Sequence, residues 1–365
     1  MENEINNNRV SRDGNNVSLW QDGVQPYKAH ALLIDNVYDV LVIGGGITGL
    51  TTALLLQQSG KNVVLVEAYT IGFGTTGGTS AHLNTFFDAT YPQVESDFGA
   101  DAAKLLAKAG LEATDMIAGL VSKYAIDCDH EYKDGYLFSQ NVEETKELAK
   151  IFASSKTAGI DVDEVTVNGT IIPFDKSIVF KNQGQFHPLK YITRLAEEFV
   201  AAGGVILENT FISDTRTENG VHTAITNDLE VKAFNLVYAT HMPPGINLFN
   251  FNCAPYRTYV LGLTLADNNY PDCLVYDMKE PYHYIRTHVQ DGQKYLLIGG
   301  EDHKTGHDDP EKAFETLEAY AREHYNVSSV AYKWSSQYYQ PADGLPYIGD
   351  RRAFLGRADR IIKRT

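Results

Sequence analysis

Four residues carry the most legible chemistry: Gly44, Gly46 and Gly49 in GxGxxG spacing, and Glu67, 18 residues beyond the last of them. Glycines so spaced let backbone go where side chains would obstruct. The first permits a tight turn, the second a close approach to a pyrophosphate, and the third close packing of a helix on a strand. An acid at that distance falls where the hydroxyls of an adenosine ribose would be held, and it argues against a 2′-phosphate. A glycine cluster on its own usually means a turn, so the reading depends on the elements around it.

Those elements stand in the required order. Residues 38–43, YDVLVI, form a short apolar run rich in β-branched residues, the pattern of a strand buried on both faces. A helix is expected from Ile47, its free N–H groups and positive end aimed at the phosphates, so that two negative charges are held without a lysine. Gly60 ends it, and residues 63–66 give a second strand that leads into Glu67. The spacing does not separate FAD from NAD. A glycine turn in an ordinary α/β core is the plainer alternative.

Composition narrows the function classes. With 365 residues, 43% of them hydrophobic, the chain is long enough for two packed domains interleaved in sequence. Its formal net charge of −16 would repel phosphate backbones and anionic lipid heads, so no nucleic-acid partner is expected. The sequence contains no run of 18 apolar residues, and MENEINNNRVSRDGNN is polar rather than signal-like, so no membrane span and a cytoplasmic location are expected. Cys128, Cys253 and Cys273 are odd in number and far apart, which reads as reduced thiols. His303 and His307 are four apart but flank a turn rather than share a helix, so no metal site is expected.

Along the chain, residues 1–17 read as a disordered leader, and 18–34 carry scattered apolar residues that could lie against the body. Apolar residues at helical spacing predict helices over 101–124, 142–157, 188–202 and from Pro310. In the first of these, Leu105, Leu106, Ala113, Met116, Ile117, Leu120, Val121 and Tyr124 would form the buried face. Strands are expected at 133–138, entered by a turn at Asp134 and Gly135, and at 204–209, 221–226, 235–240, 258–266, 282–288, 294–299 and 334–339, the later ones as a mostly antiparallel sheet.

Several stretches together resemble the glycine and D-amino-acid oxidase-like family of FAD-dependent oxidoreductases, in the branch that often carries a C-terminal Rieske domain. They are VIGGGITGL at 42–50, GTTGGTSAHL at 74–83, DGYLF at 134–138, QFHPLKYITRLA at 185–196, NLVYATH at 235–241, PYHYIRT at 281–287, GGEDHKTG at 299–306 and DGLPYIG at 343–349. The resemblance implies FAD, and an α/β fold in which a Rossmann-type FAD domain (36–124 and 181–245) is interleaved with an α+β substrate domain (125–180 and 246–340). It places the pyrophosphate at Gly44, Gly46, Ile47, Thr48 and Gly49, and the ribose on Glu67 beside Ala68. Thr76, Ser80, Ala81 and His82 match positions that meet the pyrophosphate and flavin ring. Ile212 matches a backbone contact to adenine, and Ala239 and Thr240 the strand end over the phosphates. Gly78 stands where a larger basic or aromatic residue is common. After DGLPYIG the chain runs into DRRAFLGRADRIIKRT, so residues 341–365 are expected to be a truncated or divergent end of the FAD domain. No CxH or CxxH pair follows, and no Rieske domain is expected there.

The chemistry expected of such a chain is oxidation of a small amine or amino acid at the C–H beside nitrogen, with the flavin carrying the difficult step. A carboxylate-bearing substrate would need a cation on the sheet facing the flavin. Arg286 is the candidate by strand position, with Tyr282 and Tyr284 on its face and His283 pointing the other way. Cross-strand packing of the tyrosines and a surface arginine are the bland alternative. His187, just before a proline-started helix, reads as a cap rather than a base. The rival functions are a flavin-poor remnant acting as a binding protein, and an NAD-dependent dehydrogenase. The sequence leaves the electron acceptor open.

Overall fold

The computed structural model describes residues 16–29, 37–242 and 252–349. The leader up to residue 15 and the tail from residue 350 lie outside the described residues. In chain order come β1 (Val37–Ile43), α1 (Ile47–Gln58), β2 (Val63–Val66), the short α2 (Thr75–Gly78), β3 (His82–Leu83), α3 (Tyr91–Phe98), α4 (Ala100–Lys123), β4 (Glu131–Ser139), α5 (Val142–Ala158), β5 (Val162–Val165) and β6 (Lys176–Gln185). They are followed by α6 (Pro188–Ala201), β7 (Val205–Leu207), β8 (Asp214–Glu218), β9 (Val221–Ile225), β10 (Glu230–Tyr238), β11 (Cys253–Leu265), β12 (Leu274–Asp277), β13 (Tyr284–Gln290), β14 (Gln293–Lys304), α7 (Pro310–His324) and β15 (Val327–Pro341).

The strands form two sheets. The first has the order β7-β2-β1-β10-β9-β8, parallel from β7 to β10 and antiparallel beyond. Its middle strand, β1, pairs Val40 with Val63 on one side and with Asn235 on the other. Leu41 and Val42 are wholly buried there, because α1 and α6 cover one face and Ile212, Ala224 and Val231 fill the other. The second sheet runs β15-β11-β14-β13-β12-β4-β6-β3, with β5 added beside β6. It is antiparallel except where β12 lies parallel to β4.

One face of this larger sheet is closed by α7, whose Phe314, Leu317 and Ala321 pack on Leu261, Ile285 and Ile298. The opposite face carries Tyr284, Leu297, Val260 and Trp334, and it packs against the first sheet's helices and the loop around α2. Local chemistry sets the helix ends. Asn141 caps α5 by accepting from Glu144 N–H, and Gly159 leaves it in the left-handed region. His187 caps α6 through Nδ1, which accepts from Lys190 N–H, and Pro188 opens that helix.

The structure departs from the sequence expectations in three places. Asp134 and Gly135 lie inside β4 at a bulge against β6, not in a turn before it. Strands β3, β8 and β12 and the helices α2 and α3 were not anticipated. Helix α4 buries Leu120 and packs Leu106, Ile117, Val121 and Tyr124 as expected, but it also buries a seam of small residues, Ala103, Ala107 and Gly110, and leaves Leu105 and Met116 exposed. Phe87 is the reason: a Cβ on Gly110 would come within 3.0 Å of its ring, so only small residues let the helix settle there. Among the described residues no helix is long and apolar enough to cross a membrane.

Candidate functional site

The turn from β1 into α1 is built for close approach. Gly44 takes φ +110, and a Cβ there would lie 2.5 Å from the Ala239 carbonyl oxygen at the end of β10. A Cβ on Gly46 would sit 2.9 Å from Thr76 Oγ1, and one on Gly49 only 1.8 Å from the Gly44 carbonyl oxygen. Gly46 is the N-cap of α1 and offers no side-chain cap, so the helix keeps its first N–H groups for outside acceptors. Ile47 N–H donates to Thr76 Oγ1 at 3.2 Å, and Thr48 is exposed on the first turn. These are the donors and the clearance that a pyrophosphate requires.

Glu67 stands at the end of β2 with its carboxylate turned inward. Oε2 accepts from Gly45 N–H at 2.6 Å and Oε1 from Tyr69 N–H at 2.9 Å. Ala68 follows it half-buried. The segment after β7 crosses over this end, where Thr210 N–H donates to the Glu67 carbonyl, and Ile212 comes to rest in the core two residues later. A cavity of about 460 Å³ opens beside it, lined by Tyr27, Lys28, Thr70 and Glu208. On the other side of the turn, Ala239 N–H donates to the Ile43 carbonyl, and Thr240 Oγ1 closes onto the Met242 carbonyl. Glycine cradle, helix start and inward carboxylate together fit the two phosphates and the ribose of a dinucleotide.

Residues 75–83 lie between the two sheets. Thr75 Oγ1 donates to the Gln337 carbonyl and pairs with His241 Nδ1 at 3.1 Å, while Trp334 Nε1 donates to the Gly78 carbonyl. A Cβ on Gly78 would meet the Ser336 side chain at 2.9 Å, which explains why no larger residue stands there. Ser80 Oγ pairs with His82 Nδ1 at 2.9 Å. The His82 ring sits against Tyr276 and Tyr284, and burial together with the Arg286 charge holds its pKa down at about 3, so the imidazole is neutral. The loop is clamped from below by Ser18, Leu19 and Trp20, all buried. Ser18 Oγ donates to the Gly77 carbonyl and Trp20 Nε1 to that of Thr79.

Arg286 requires a correction. It shares a sheet face with Tyr284, as period-two alternation indicates, but it is turned into the interior rather than exposed on that face. The side chain is fully buried, and its Nη1 donates to the carbonyls of Ser80, Ala81 and Phe186 at 3.1, 2.7 and 3.3 Å. Its guanidinium lies 5.3 Å from the Trp20 ring, and burial lowers its pKa to about 9. Arg286 therefore holds the strained loop at Ala81, φ +60, rather than presenting charge to a substrate.

Further along the same face, sequence reasoning missed a polar group. The Tyr284 ring lies over Gly299, where a Cβ would come within 2.2 Å, and its hydroxyl pairs with Thr258 Oγ1 at 2.9 Å. Beside Thr258, Asp302 Oδ2 accepts from the Tyr338 hydroxyl at 3.0 Å. Burial pushes the Asp302 carboxyl up to about 6, against the Thr258 and Tyr338 hydroxyls, which favour its charged form. The Tyr282 ring is tilted against that of Tyr284 at 5.9 Å, and its hydroxyl hydrogen-bonds Asp88. Asp88 is exposed at the edge of this group, and desolvation raises its carboxyl. His303 is spent on Tyr259, and the described residues contain no cluster suited to a metal.

Comparison with known proteins agrees with this geometry. Residues 39–361 match the model of the family described as FAD dependent oxidoreductase, DAO. The chain is 31% identical over 335 residues to YhfW of Bacillus subtilis, named as a Rieske 2Fe-2S iron-sulfur protein, covering 91% of this chain and 66% of that one. It is 29% identical over 177 residues to gamma-glutamylputrescine oxidoreductase of Escherichia coli, covering 47% of this chain and 41% of that protein. The chain thus spans less than two thirds of either relative. The crystal structure of glycine oxidase from Geobacillus kaustophilus superposes with a TM-score of 0.72 at 19% identity, covering 86% of each chain, which is a likeness of fold.

Proposed function

The chain belongs to the FAD-dependent oxidoreductase family, and on that premise we propose that it holds FAD across the β1–α1 turn and oxidises a small amine or amino acid at the C–H beside nitrogen. When bound, the flavin supplies the acceptor for that hydride. The observation that carries the reading is the cradle at Gly44, Gly46 and Gly49, with Glu67 turned inward at the next strand end.

The chain's own residues have distinct tasks in this reading. The α1 N-terminus, with Gly46, Ile47, Thr48 and the Thr76 hydroxyl, takes the phosphates, and Glu67 exchanges its hold on Gly45 N–H for the ribose hydroxyls. Ala239 and Thr240 border the phosphates, with Ala68 and Ile212 on the adenosine side. Ser80, Ala81 and His82 line the ring's edge, fixed by Arg286 from beneath. Tyr282 and Tyr284 give the substrate an aromatic wall that excludes water and fixes which face of the reacting carbon is presented. Neutral His82 is held at that edge by its Nδ1, which pairs with Ser80 Oγ.

A visible absorption spectrum tests the proposal. The purified chain incubated with FAD and desalted should keep flavin bands that bleach anaerobically when an amine substrate is added. A colourless protein that takes up no FAD would refute the reading and leave a binding protein that retains only the fold.

A further inference from the structure

The cleft beside Tyr284 carries charge of the wrong sign for a carboxylate. Arg286, the cation on that strand face, is buried with its Nη1 on three interior carbonyls. Asp302 and Asp88 stand at the cleft instead, with Glu280 close enough to raise the Asp302 carboxyl further. The charged groups acting on Tyr282 and Tyr338 are acids, Asp88 and Asp302 in both cases. Asp302 Oδ1 is buried with no donor in hydrogen-bonding geometry among the described residues, although the Thr258 hydroxyl is near enough to help hold its charge. A buried carboxylate oxygen that lacks a partner is stabilised most by a cation delivered from outside. Tyr282, Tyr284 and Tyr338 stand close enough to feel the Asp302 charge, and an aromatic surround favours an ammonium group over an anionic one.

We propose that the cleft selects an amine bearing a second positive charge and no carboxylate, a diamine or polyamine, whose distal ammonium is received by Asp302 and Asp88 among the three tyrosines. The proposal rests on the amine-oxidation reading above and narrows it. In this arrangement one nitrogen is oxidised and the other anchors, so the anchoring charge is never consumed. A carboxylate at the anchoring end would meet two like charges.

Three four-carbon probes separate the outcomes: diaminobutane, butylamine and aminobutyrate, which share a reacting amine and differ only at the far end. Calorimetric titration of the full chain after incubation with FAD should give diaminobutane an affinity at least about tenfold above butylamine, with aminobutyrate weaker than both. Asp302→Asn should remove most of the diamine advantage over butylamine, and Asp302→Glu should restore it. Asp88→Asn gives a second reading if Asp302→Asn does not fold. Aminobutyrate binding as tightly as diaminobutane, or an undiminished diamine advantage in both asparagine variants, would overturn the proposal. The absorbance of the same sample keeps the two readings apart. A yellow protein that prefers aminobutyrate sinks only this inference, and a colourless one that prefers diaminobutane sinks only the flavin chemistry.

Discussion

Replacing Gly49 by alanine gives a quantitative test of the nucleotide cradle. The added Cβ would lie 1.8 Å from the Gly44 carbonyl oxygen, whereas non-bonded heavy atoms settle at about 3.5 Å, so α1 must move away from the β1 turn by roughly 1.5 Å. The collision is backbone against methyl, with no flexible side chain to yield, which places the cost near the upper end of overpacking, about 3 kcal/mol. For a chain of this length that corresponds to a melting temperature lower by about 5 °C. The helix start also leaves the phosphates, so FAD affinity should fall by at least about tenfold. Gly119→Ala supplies the control: it lies exposed within α4 with open space around the new methyl, and should stabilise by about 0.5–1 kcal/mol. Thermal unfolding with and without FAD, together with titration of flavin fluorescence, reads both effects. A Gly49→Ala protein that melts with the wild type and binds FAD equally well would refute the reasoning.

Two further perturbations follow from the same structure. Arg286→Met strips the donor from three buried carbonyls, a loss offset in part because a charge no longer has to be buried, so a net cost of about 2–4 kcal/mol is expected, with FAD released faster from the loosened loop. Unchanged stability with a raised KM for carboxylate substrates alone would return Arg286 to the substrate side. Asp302 has its folded pKa raised from 3.8 to about 6, so the folded state holds this proton more tightly than the unfolded chain does. Its contribution to stability is fully present below pH 4 and is lost as pH rises through 6, by up to about 3 kcal/mol. Asp302→Asn should therefore gain stability relative to wild type between pH 4 and pH 7, measured as the shift in urea midpoint. An equal midpoint difference at both values would mean the carboxyl is not perturbed.

The parts of the fold that could be read from the chain are those whose partners are close in sequence. Residues 38–67 make strand, turn, helix and strand without outside help, so glycine spacing and apolar runs describe them well. Arg286 shows the limit of alternation. Period two puts it on a face with Tyr284, but not under Trp20, which arrives from the far end of the chain to fill the space below. Asp302 was hidden for another reason. Gly300 at φ +149 and Glu301 at φ +55 shift the parity of β14, so Leu297 and Gly299 share a face with residue 302, while Glu301 turns toward His283 on the other side. Strand β12 is four residues buried on both faces, too short for a pattern. The seam of α4 at Ala103, Ala107 and Gly110 is invisible to an apolar count because alanines and a glycine make it.

The central strand of the first sheet has a neighbour that is made late. Val40 in β1 is flanked by Val63, available almost at once, and by Asn235, which leaves the ribosome only after all of β3 to β6 has emerged. Until then, one backbone edge of β1 is bare, with Leu41 and Val42 beside it. Such an edge is an invitation to pair with another nascent chain. Production of this protein should accordingly depend on how quickly β10 follows. Slowing translation between residues 190 and 230 should send more of it into aggregates than the same delay placed after residue 242.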